Sequence, residues 1–394
     1  MDPTVSNGHE FQGVNGLREI LGSEERRRMP AVYFLLDDEE TETEVVRNTA
    51  SWYDARANQP SRSAEWRLYY PGDAGALQSK LRAGDLMVVA VPNEGPVAVL
   101  LAKRDSSSEA RVLRLFGLGE ERQESFQVQQ FGDSATLDFA AATILEELGL
   151  GSAHPATTGD DAAISKLVDE LIGRFPEALP SGRDISLLVQ QRVVHDPVTD
   201  PDGALVRWIE AEAATFRLWE DALIARALHR GFTLPGGYPD VESFREFTMR
   251  LRQSRVSRAG GALQIHAAHV LAANGIAFEE QVITEPGERP DFIFPSRSAY
   301  HDASRSPDRL AMLAAKFTLK DRWRQVLNEA KRIRRKHLIT IDSAISVGTR
   351  VAIGNAGIIL VLPEPIRSRY SISPMTASVL NVAELLDSLR RIVE

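Results

Sequence analysis

The chain of 394 residues contains no cysteine. This absence excludes disulfide bonds and thiolate–metal sites, and it fits a reducing compartment. Long apolar runs are missing as well, since no segment reaches the ~18 consecutive apolar residues that a membrane-spanning helix needs. The N-terminus is polar and lacks the charged, then apolar pattern of a secretory signal. From these absences we expect a soluble, cytoplasmic protein with no membrane partner.

Positive charge is scarce and unevenly distributed. The formal net charge is −9, and residues 1–300 carry 46 Asp and Glu against 30 Lys and Arg. Residues 301–350 reverse this balance, with 12 Lys and Arg against 5 Asp and Glu. A basic block in an acidic chain is typical of a surface that binds a polyanion. A solvated basic helix face is the simpler alternative, and the carboxylates inside the block argue against it.

The length predicts two to three domains. Residues 1–30 are expected to be a flexible lead-in with room for one short helix. Residues 31–150 are expected to be a β-rich, barrel-like domain, because short apolar strands alternate there with turn signals. Residues 151–161 are rich in small side chains and predict a linker. The strands expected in the N-terminal domain are 32–36, 66–70, 85–91, 97–102 and 112–116, and a helix is expected over 136–149.

From residue 162 to residue 394, helical patterns alternate with short apolar runs. This alternation predicts the α/β fold class, with a central mixed sheet flanked by helices. The expected helices are 162–175, 184–194, 204–230, 239–254, 262–274 and 382–393. The expected strands are 278–284, 291–294, 313–319, 337–341 and 358–362.

Three charged residues of this domain have the spacing of a metal-dependent nuclease site. Asp291 begins an expected strand, Lys316 follows at the end of the next strand, and Glu329 lies on a basic helix expected from Asp321 onward. Hydrolysis of a phosphodiester needs carboxylates that hold Mg²⁺ and a cation near the attacking water. The pattern is weak by itself, because any long charged chain contains many Asp and Lys pairs.

A second cluster lies between Lys316 and Glu329. Lys320, Arg322 and Arg324 supply hydrogen-bond donors, and Asp321 supplies an acceptor. Lys and Arg donate to O6 and N7 of guanine, whereas Asp accepts from N4 of cytosine. The cluster therefore suits the reading of G·C pairs, and the alternative is an ion pair on a helix surface.

Several motifs of the C-terminal half resemble those of the EcoRII-type restriction endonucleases of the PD-(D/E)XK superfamily. They are Ser257-Arg258-Ala259-Gly260, Pro290-Asp291-Phe292-Ile293-Phe294, Tyr300-His301-Asp302, Lys320-Asp321-Arg322-Trp323-Arg324-Gln325 and His337-Leu338. The resemblance implies a restriction-endonuclease-like domain over 162–394. It also implies a type II enzyme that uses Mg²⁺ to cleave double-stranded DNA at a CC-N-GG site, with A or T at the centre.

The resemblance also implies a role for each matching residue. These roles are metal binding for Asp291 and Glu329, catalysis for Lys316, base reading for Lys320, Asp321 and Arg322, and weaker contact with the DNA backbone for Arg258 and Arg324. A pseudo-palindromic site is matched by two-fold protein symmetry, so we expect a homodimer. The long apolar helix expected over 204–230 is a candidate for part of the interface, and burial in the core is the alternative.

The sequence departs from this resemblance at Gln264, where the family pattern has glutamate. A neutral amide oxygen does not supply the charge of a carboxylate, so Gln264 is a candidate metal ligand of reduced strength. The alternative to an active enzyme is therefore a weakened or inactive sequence-specific DNA-binding protein. His266 and His269 follow on the same helix, where a packed helix face is the simpler explanation than a metal pair.

The resemblance makes the N-terminal region a candidate effector domain. In EcoRII-type enzymes with an N-terminal extension, that extension is β-rich and binds DNA, which fits residues 31–150. The charge of residues 1–150 argues against this role, because they hold 25 acidic against 15 basic side chains.

Overall fold

The structure, a computed structural model, describes residues 9–38, 43–59, 61–92, 95–116, 118, 128, 161–175, 180–368, 370 and 378–393. Within these ranges it does not describe the side chains of residues 161, 252, 255–257, 259–260, 320–321 and 393. Two compact units are present, one within residues 1–153 with 344–349 and the other within 154–343 with 350–394. The expected linker lies outside the described residues up to residue 160, so the domain boundaries stay a prediction.

The N-terminal unit is built on one sheet of six strands. They are β1 (Glu10–Gln12), β2 (Arg26–Leu36), β3 (Glu44–Asp54), β4 (Trp66–Tyr69), β5 (Leu86–Ala90) and β6 (Val97–Ala102). Three helices accompany them, α1 (Asn15–Leu21), α2 (Gly72–Gln78) and α3 (Ser107–Leu115). The order is β1-β4-β3-β2-β6-β5, and the one parallel pair among the described strands of this sheet is β2–β6.

The core of this unit lies against both faces of β2, where residues 31–36 are all buried. On one face, the fully buried Trp52 stacks on Trp66 with ring centroids 5.2 Å apart, and its Nε1 donates to the carbonyl oxygen of Gly22 at 3.0 Å. The sheet runs from an edge at β1 to an edge at β5, so it is an open half-barrel. The prediction of a β-rich, barrel-like N-terminal region is thereby confirmed.

Two details of that prediction were wrong. Residues 9–30 are not a flexible lead-in, because Phe11 of β1 and the apolar face of α1 pack into the core of the sheet. Residues 112–116 are largely helical rather than extended. The Ser106 side chain accepts from the backbone N–H of Glu109 at 3.0 Å and so caps α3, a local signal that outweighs the short apolar run.

The helices described between residues 161 and 393 are α4 (Asp161–Arg174), α5 (Gly182–Arg192), α6 (Pro201–Arg230), α7 (Val241–Ala273), α8 (Arg297–His301), α9 (Val347–Asn355), α10 (Glu364–Arg367) and α11 (Val382–Val393). The strands are β7 (Glu279–Glu280), β8 (Phe292–Phe294), β9 (Ala311–Ala315), β10 (Lys336–Ile339), β11 (Ile358–Val361) and β12 (Val379–Leu380). Two short 3₁₀ helices cover Pro307–Arg309 and Lys320–Leu327, and the second is called the basic 3₁₀ helix below.

The second sheet has the order β12-β11-β10-β9-β8-β7. The pairs from β9 to β12 are parallel, whereas β8 is antiparallel to both β9 and β7, so the sheet is mixed as expected. Every residue of β8 and β9 is buried, which is typical of strands covered on both faces. In the described part of the chain, no helix is long and apolar enough to cross a membrane.

Two elements differ from the expected boundaries. A single helix, α7, replaces the two helices expected over 239–254 and 262–274, because a Gly-Gly step inside a long helix costs only about 1 kcal/mol per glycine. The strand expected over 278–284 is reduced to the two residues of β7. It ends where the backbone of Gln281 adopts the left-handed conformation, with φ +52°.

A buried polar network holds helices α5, α6 and α7 together. The fully buried Glu212 carboxylate accepts from Ser186 Oγ at 2.6 Å and from His266 Nε2 at 2.9 Å. Because a carboxylate only accepts, Nε2 of His266 carries the proton, and Nδ1 accepts from Gln190 at 2.9 Å. Trp208 of α6 packs against the His266 ring. His266 is therefore a core residue, and the middle of α6 is part of the core of this unit.

His337 is fully buried in β10, where its Nδ1 donates to the carbonyl oxygen of Met312 at 3.2 Å. Burial lowers the pKa of His337 to about 4, because apolar surroundings disfavour the charged imidazolium. The pKa of histidine in an unfolded chain is about 6.5. Above the pKa of the unfolded state, the neutral His337 ring therefore contributes its full stabilisation of the fold. This stabilisation is lost as the pH falls from the unfolded-state pKa towards the folded-state pKa.

We expect the free energy of unfolding of the wild-type protein to fall by about 3 kcal/mol more than that of His337→Gln between pH 7 and pH 4. Urea denaturation at stepped pH measures the difference. His229→Gln removes an exposed histidine and should follow the wild type. Parallel pH curves for wild type and His337→Gln would contradict the expectation.

Candidate active site

Asp291 lies directly before β8 and beside the end of β9. The antiparallel register pairs Phe292 with Leu313, which brings the Asp291 carboxylate to the last residue of β9. There, Oδ2 accepts from the backbone N–H of Ala315 at 2.8 Å. The pairing of two short buried strands thus fixes the position of this acidic side chain, which is only 13% exposed.

Lys316 follows β9 and contacts the same carboxylate. Its Nζ lies 3.2 Å from Asp291 Oδ2, and its side chain is 17% exposed. The backbone N–H of Lys316 donates to the carbonyl oxygen of Ile339 at 3.0 Å, and the backbone N–H of Leu319 donates to the Asp342 carboxylate at 2.9 Å. The segment that carries the lysine is therefore held against the chain at the end of β10, and the structure brings Asp291 and Lys316 together.

Gln264 of α7 reaches Asp291 through a second glutamine. The Gln281 Nε2 donates to Asp291 Oδ1 at 2.8 Å and to Gln264 Oε1 at 3.4 Å. The Nε2 of Gln264 donates in turn to Glu280 Oε2 at 3.2 Å. These four side chains, called the glutamine relay below, connect one carboxylate at the end of β7 with the carboxylate of Asp291.

Glu329 lies in a bend after the basic 3₁₀ helix, and not on an α-helix as expected. The ammonium group of Lys336 donates to the carbonyl oxygens of Val326, Leu327 and Glu329 at 3.0, 2.8 and 2.6 Å. These bonds satisfy carbonyls at the end of the helix, and the chain then turns at Ala330, with φ +46°. The helix therefore stops before Glu329 instead of continuing through it.

The Glu329 side chain is 7% exposed, and its Oε2 has no hydrogen-bond partner. Burial raises the pKa of the Glu329 carboxyl above its usual range. The ammonium of Lys316 opposes this rise and the carboxylate of Asp291 adds to it, so both are close enough to influence Glu329. The three residues that the sequence selected therefore share one electrostatic environment.

Among the described residues, no three His, Cys, Asp or Glu side chains are grouped closely enough to hold a metal ion as they stand. The donor chemistry nevertheless fits a hard divalent cation, which prefers carboxylate and amide oxygens. An unpaired buried acceptor such as Oε2 of Glu329 costs about 1–3 kcal/mol. A cation held by Asp291 and Glu329 would remove that cost.

The side chains of Lys320 and Asp321 lie outside the described part of the chain, so their base-reading role stays a prediction. Arg322 and Arg324 of the basic 3₁₀ helix are both exposed. The guanidinium carbon of Arg324 lies 5.3 Å from the ring centroid of Trp323, which is buried. The helix is thus anchored through a tryptophan and presents arginine to solvent.

The expected contact of Arg258 with the DNA backbone does not agree with its position. Its side chain is 13% exposed, and its guanidinium carbon lies 4.5 Å from the ring centroid of Phe216. One of its terminal nitrogens lies 4.0 Å from Oε1 of the buried Glu212. Arg258 therefore faces the interior of the helical layer, because the buried carboxylate there attracts a cation.

Three residues of the site were missed from the sequence, namely Glu280, Gln281 and Lys336. The first two belong to a short polar run, and nothing local shows that it pairs with the strand after Asp291. Lys336 appeared as one of many cations in the basic block. Its signal was its position as the first residue of β10, whose other three residues are all buried.

Residues 216–386 match the family described as EcoRII C terminal. Over 192 residues the chain is 35% identical to the type II restriction enzyme EcoRII of Escherichia coli, a match that covers 48% of this chain and 46% of that enzyme. The chain thus spans about half the length of the curated relative it matches. The C-terminal unit is accordingly similar to a domain of the type II restriction endonuclease class. The particular family that it matches is EcoRII C terminal, which confirms the resemblance that the motifs predicted.

Two solved structures show a more distant likeness. The structure of metal-depleted Ecl18kI in complex with uncleaved, modified DNA has a TM-score of 0.46 and 18% identity, covering 58% of this chain and 84% of that chain. The complex of restriction endonuclease PspGI with substrate DNA has a TM-score of 0.39 and 17% identity, covering 58% of this chain and 92% of that chain.

Lys336→Met removes the ammonium group that binds three carbonyl oxygens and keeps the length of the side chain. We expect the free energy of unfolding to fall by about 2 kcal/mol, because the carbonyl oxygens lose a charged donor. Lys336→Arg should not restore it, since a planar guanidinium cannot direct its N–H groups at three oxygens around one point. Urea denaturation measures both variants, with the exposed Lys331→Met as control. A wild-type midpoint for Lys336→Met would contradict this role.

Proposed function

We propose that this chain is a type II site-specific deoxyribonuclease that hydrolyses phosphodiester bonds of double-stranded DNA with Mg²⁺ as cofactor. The observation that carries the proposal is the ion pair of Asp291 and Lys316, which acts electrostatically on the buried carboxyl of Glu329, whose Oε2 has no hydrogen-bond partner. This group lies within the match to the EcoRII C-terminal family. The curated relative is named a type II restriction enzyme, which supports the same reaction class.

In this proposal Asp291 and Glu329 hold the cation, and Gln264 is a further, neutral ligand. When bound, the cation supplies Lewis-acid stabilisation of the charge on the scissile phosphate. Lys316 positions the attacking water and stabilises the charge that develops during attack. Its ammonium is largely shielded from solvent, so its effect on that charge is stronger than it would be in bulk water.

We assign the target to the CC-N-GG class and favour CCWGG. Lys320, Asp321 and Arg322 would read the G·C pairs, and the exposed Arg324 would contact the DNA backbone. Two copies of the chain would each read one half-site, so we propose a homodimer in the cytoplasm. A monomeric mass on the target duplex, measured by light scattering, would argue against the dimer.

For the N-terminal half-barrel we propose an effector role in DNA binding. Tyr69, at the end of β4, is 41% exposed and available for stacking, whereas the neighbouring Tyr70 is buried in the core. The acidic balance of this unit speaks against a broad contact with phosphates.

A second candidate function follows from Gln264. With a neutral ligand in place of a carboxylate, the protein would bind its site and cut weakly or not at all. Digestion of a sequenced plasmid with Mg²⁺ separates the two functions. Discrete fragments support the nuclease and give the site and the end structure, whereas binding without fragments supports the inactive binder.

Lys316→Ala should abolish cleavage of a CC-N-GG plasmid and leave binding to the duplex nearly unchanged, because the lysine acts on the attacking water and not on the bases. Cleavage is measured with Mg²⁺ and binding by gel shift without it. Lys166→Ala, which removes an exposed lysine of α4, is the control and should cut normally. Wild-type cleavage by Lys316→Ala would refute the site.

Asp321→Ala should relax discrimination at the cytosine positions, since the lost acceptor contact is worth about 1–3 kcal/mol. The measurement compares cleavage of duplexes that differ from the target at a single G·C pair. Glu242→Ala removes an exposed carboxylate of α7 and should retain full discrimination. If Asp321→Ala discriminates as well as the wild type, the base-reading role is wrong.

A further inference from the structure

The glutamine relay has a fixed direction because its two ends are carboxylates. Carboxylates only accept hydrogen bonds, so Asp291 requires the N–H group of Gln281, and Glu280 requires the N–H group of Gln264. The oxygen of Gln264 is then left facing the Gln281 nitrogen. The observed orientation is the one in which all three contacts are satisfied.

This direction matters because an amide is not symmetric. A glutamate at position 264 would present oxygen in either orientation, whereas a glutamine presents oxygen in one orientation and a hydrogen-bond donor in the other. A donor facing a cation is repulsive. Glutamine can therefore serve as a ligand at this position only if another group selects its orientation.

We propose that Glu280 is this group: a positioning residue that takes the nitrogen of Gln264 and thereby turns its oxygen towards the site of Asp291. This inference rests on the proposed function, because it assigns to Gln264 a ligand role beside Asp291 and Glu329. It adds a residue that belongs to β7 and does not itself hold the cation. The unpaired, buried Oε2 of Glu329 is independent evidence that this site takes a ligand.

The position of Glu280 suits this role. It pairs with Phe292, the residue after Asp291, so it stands at the edge of the sheet next to the site. The following residue, Gln281, has φ +52° and donates its backbone N–H to the carbonyl oxygen of Asp291 at 3.1 Å. A left-handed backbone at a residue other than glycine persists where surrounding contacts impose it, and such positions cluster at functional sites.

The test is a double-mutant cycle in the full chain, read out by Mn²⁺ binding with electron paramagnetic resonance. In the glutamine background, Glu280→Gln offers Gln264 both a donor and an acceptor, so its orientation is no longer fixed. We expect Mn²⁺ affinity to fall about tenfold, the lower end of the effect of removing partners that orient metal ligands. In the Gln264→Glu background, the same Glu280→Gln change should not weaken Mn²⁺ binding, because no orientation remains to be selected.

A second readout needs no metal. Gln264→Glu places two carboxylates where the amide and Glu280 now bond, so we expect the melting temperature of the metal-free protein to fall by about 2–4 °C. Adding Glu280→Gln to that variant should restore it. Glu279→Gln removes the neighbouring charge on β7 and should leave Mn²⁺ affinity and melting temperature unchanged.

The outcomes distinguish failure of the metal site from failure of the positioning role of Glu280 alone. Asp291→Asn should abolish Mn²⁺ binding at this site. If the wild type does not bind Mn²⁺, or if Asp291→Asn binds it equally well, both the metal site and the positioning role are overturned. Equal weakening by Glu280→Gln in both backgrounds would show that Glu280 only supports β7. Equal weakening by Glu279→Gln and Glu280→Gln would show a diffuse effect of charge. Each of these last two results would overturn the positioning role and leave the proposed nuclease intact.

Discussion

The arrangement of the C-terminal unit depends on how the Asp291 carboxylate is paired. A largely buried charge is costly unless it is hydrogen-bonded and neutralised, and this one receives the N–H of Ala315, the ammonium of Lys316 and the amide of Gln281. These donors come from the ends of β9 and β7, on either side of β8. A slip of one residue in the register would turn Asp291 to the other face of the sheet. The candidate site is therefore a consequence of strand pairing.

The basic 3₁₀ helix links the proposed reading of bases with the proposed chemistry. It begins at Lys320 and ends just before Glu329, and at ~2.0 Å per residue its eight residues extend about 16 Å. Lys336 holds its end through three carbonyl oxygens, and Asp342 holds the residue before its start. Both anchors belong to β10 or the residues that follow it. A displacement of this strand would therefore reach both ends of the helix together.

The sequence predicted the parts of the site that depend on local pattern. Asp291 and Lys316 lie at the ends of apolar strands, and short buried strands leave few positions at which polar residues can lie. Glu280 and Gln281 could not be predicted in the same way, because their role requires an antiparallel pairing and a left-handed backbone that no local signal announces. The sequence selected Glu329 as a site residue, but it predicted an α-helix where the structure has a bend. Helical spacing of apolar residues does not distinguish a longer α-helix from a 3₁₀ helix whose last carbonyl oxygens accept from a lysine.

The charge around the site gives a physical reason for a glutamine at position 264. Besides burial, the carboxylates of Asp291 and Glu288 raise the pKa of Glu329, and the ammonium groups of Lys316 and Lys336 lower it. A carboxylate at position 264 would stand beside the Glu280 carboxylate, which now accepts from the Gln264 amide at 3.2 Å. In the absence of metal, repulsion between the two would weaken the contact of α7 with β7. Glutamine replaces this repulsion by two hydrogen bonds, at the cost of a weaker attraction for a cation. If residue 264 holds a cation as proposed, the glutamine that departs from the family pattern thus favours the stability of the metal-free fold over metal affinity.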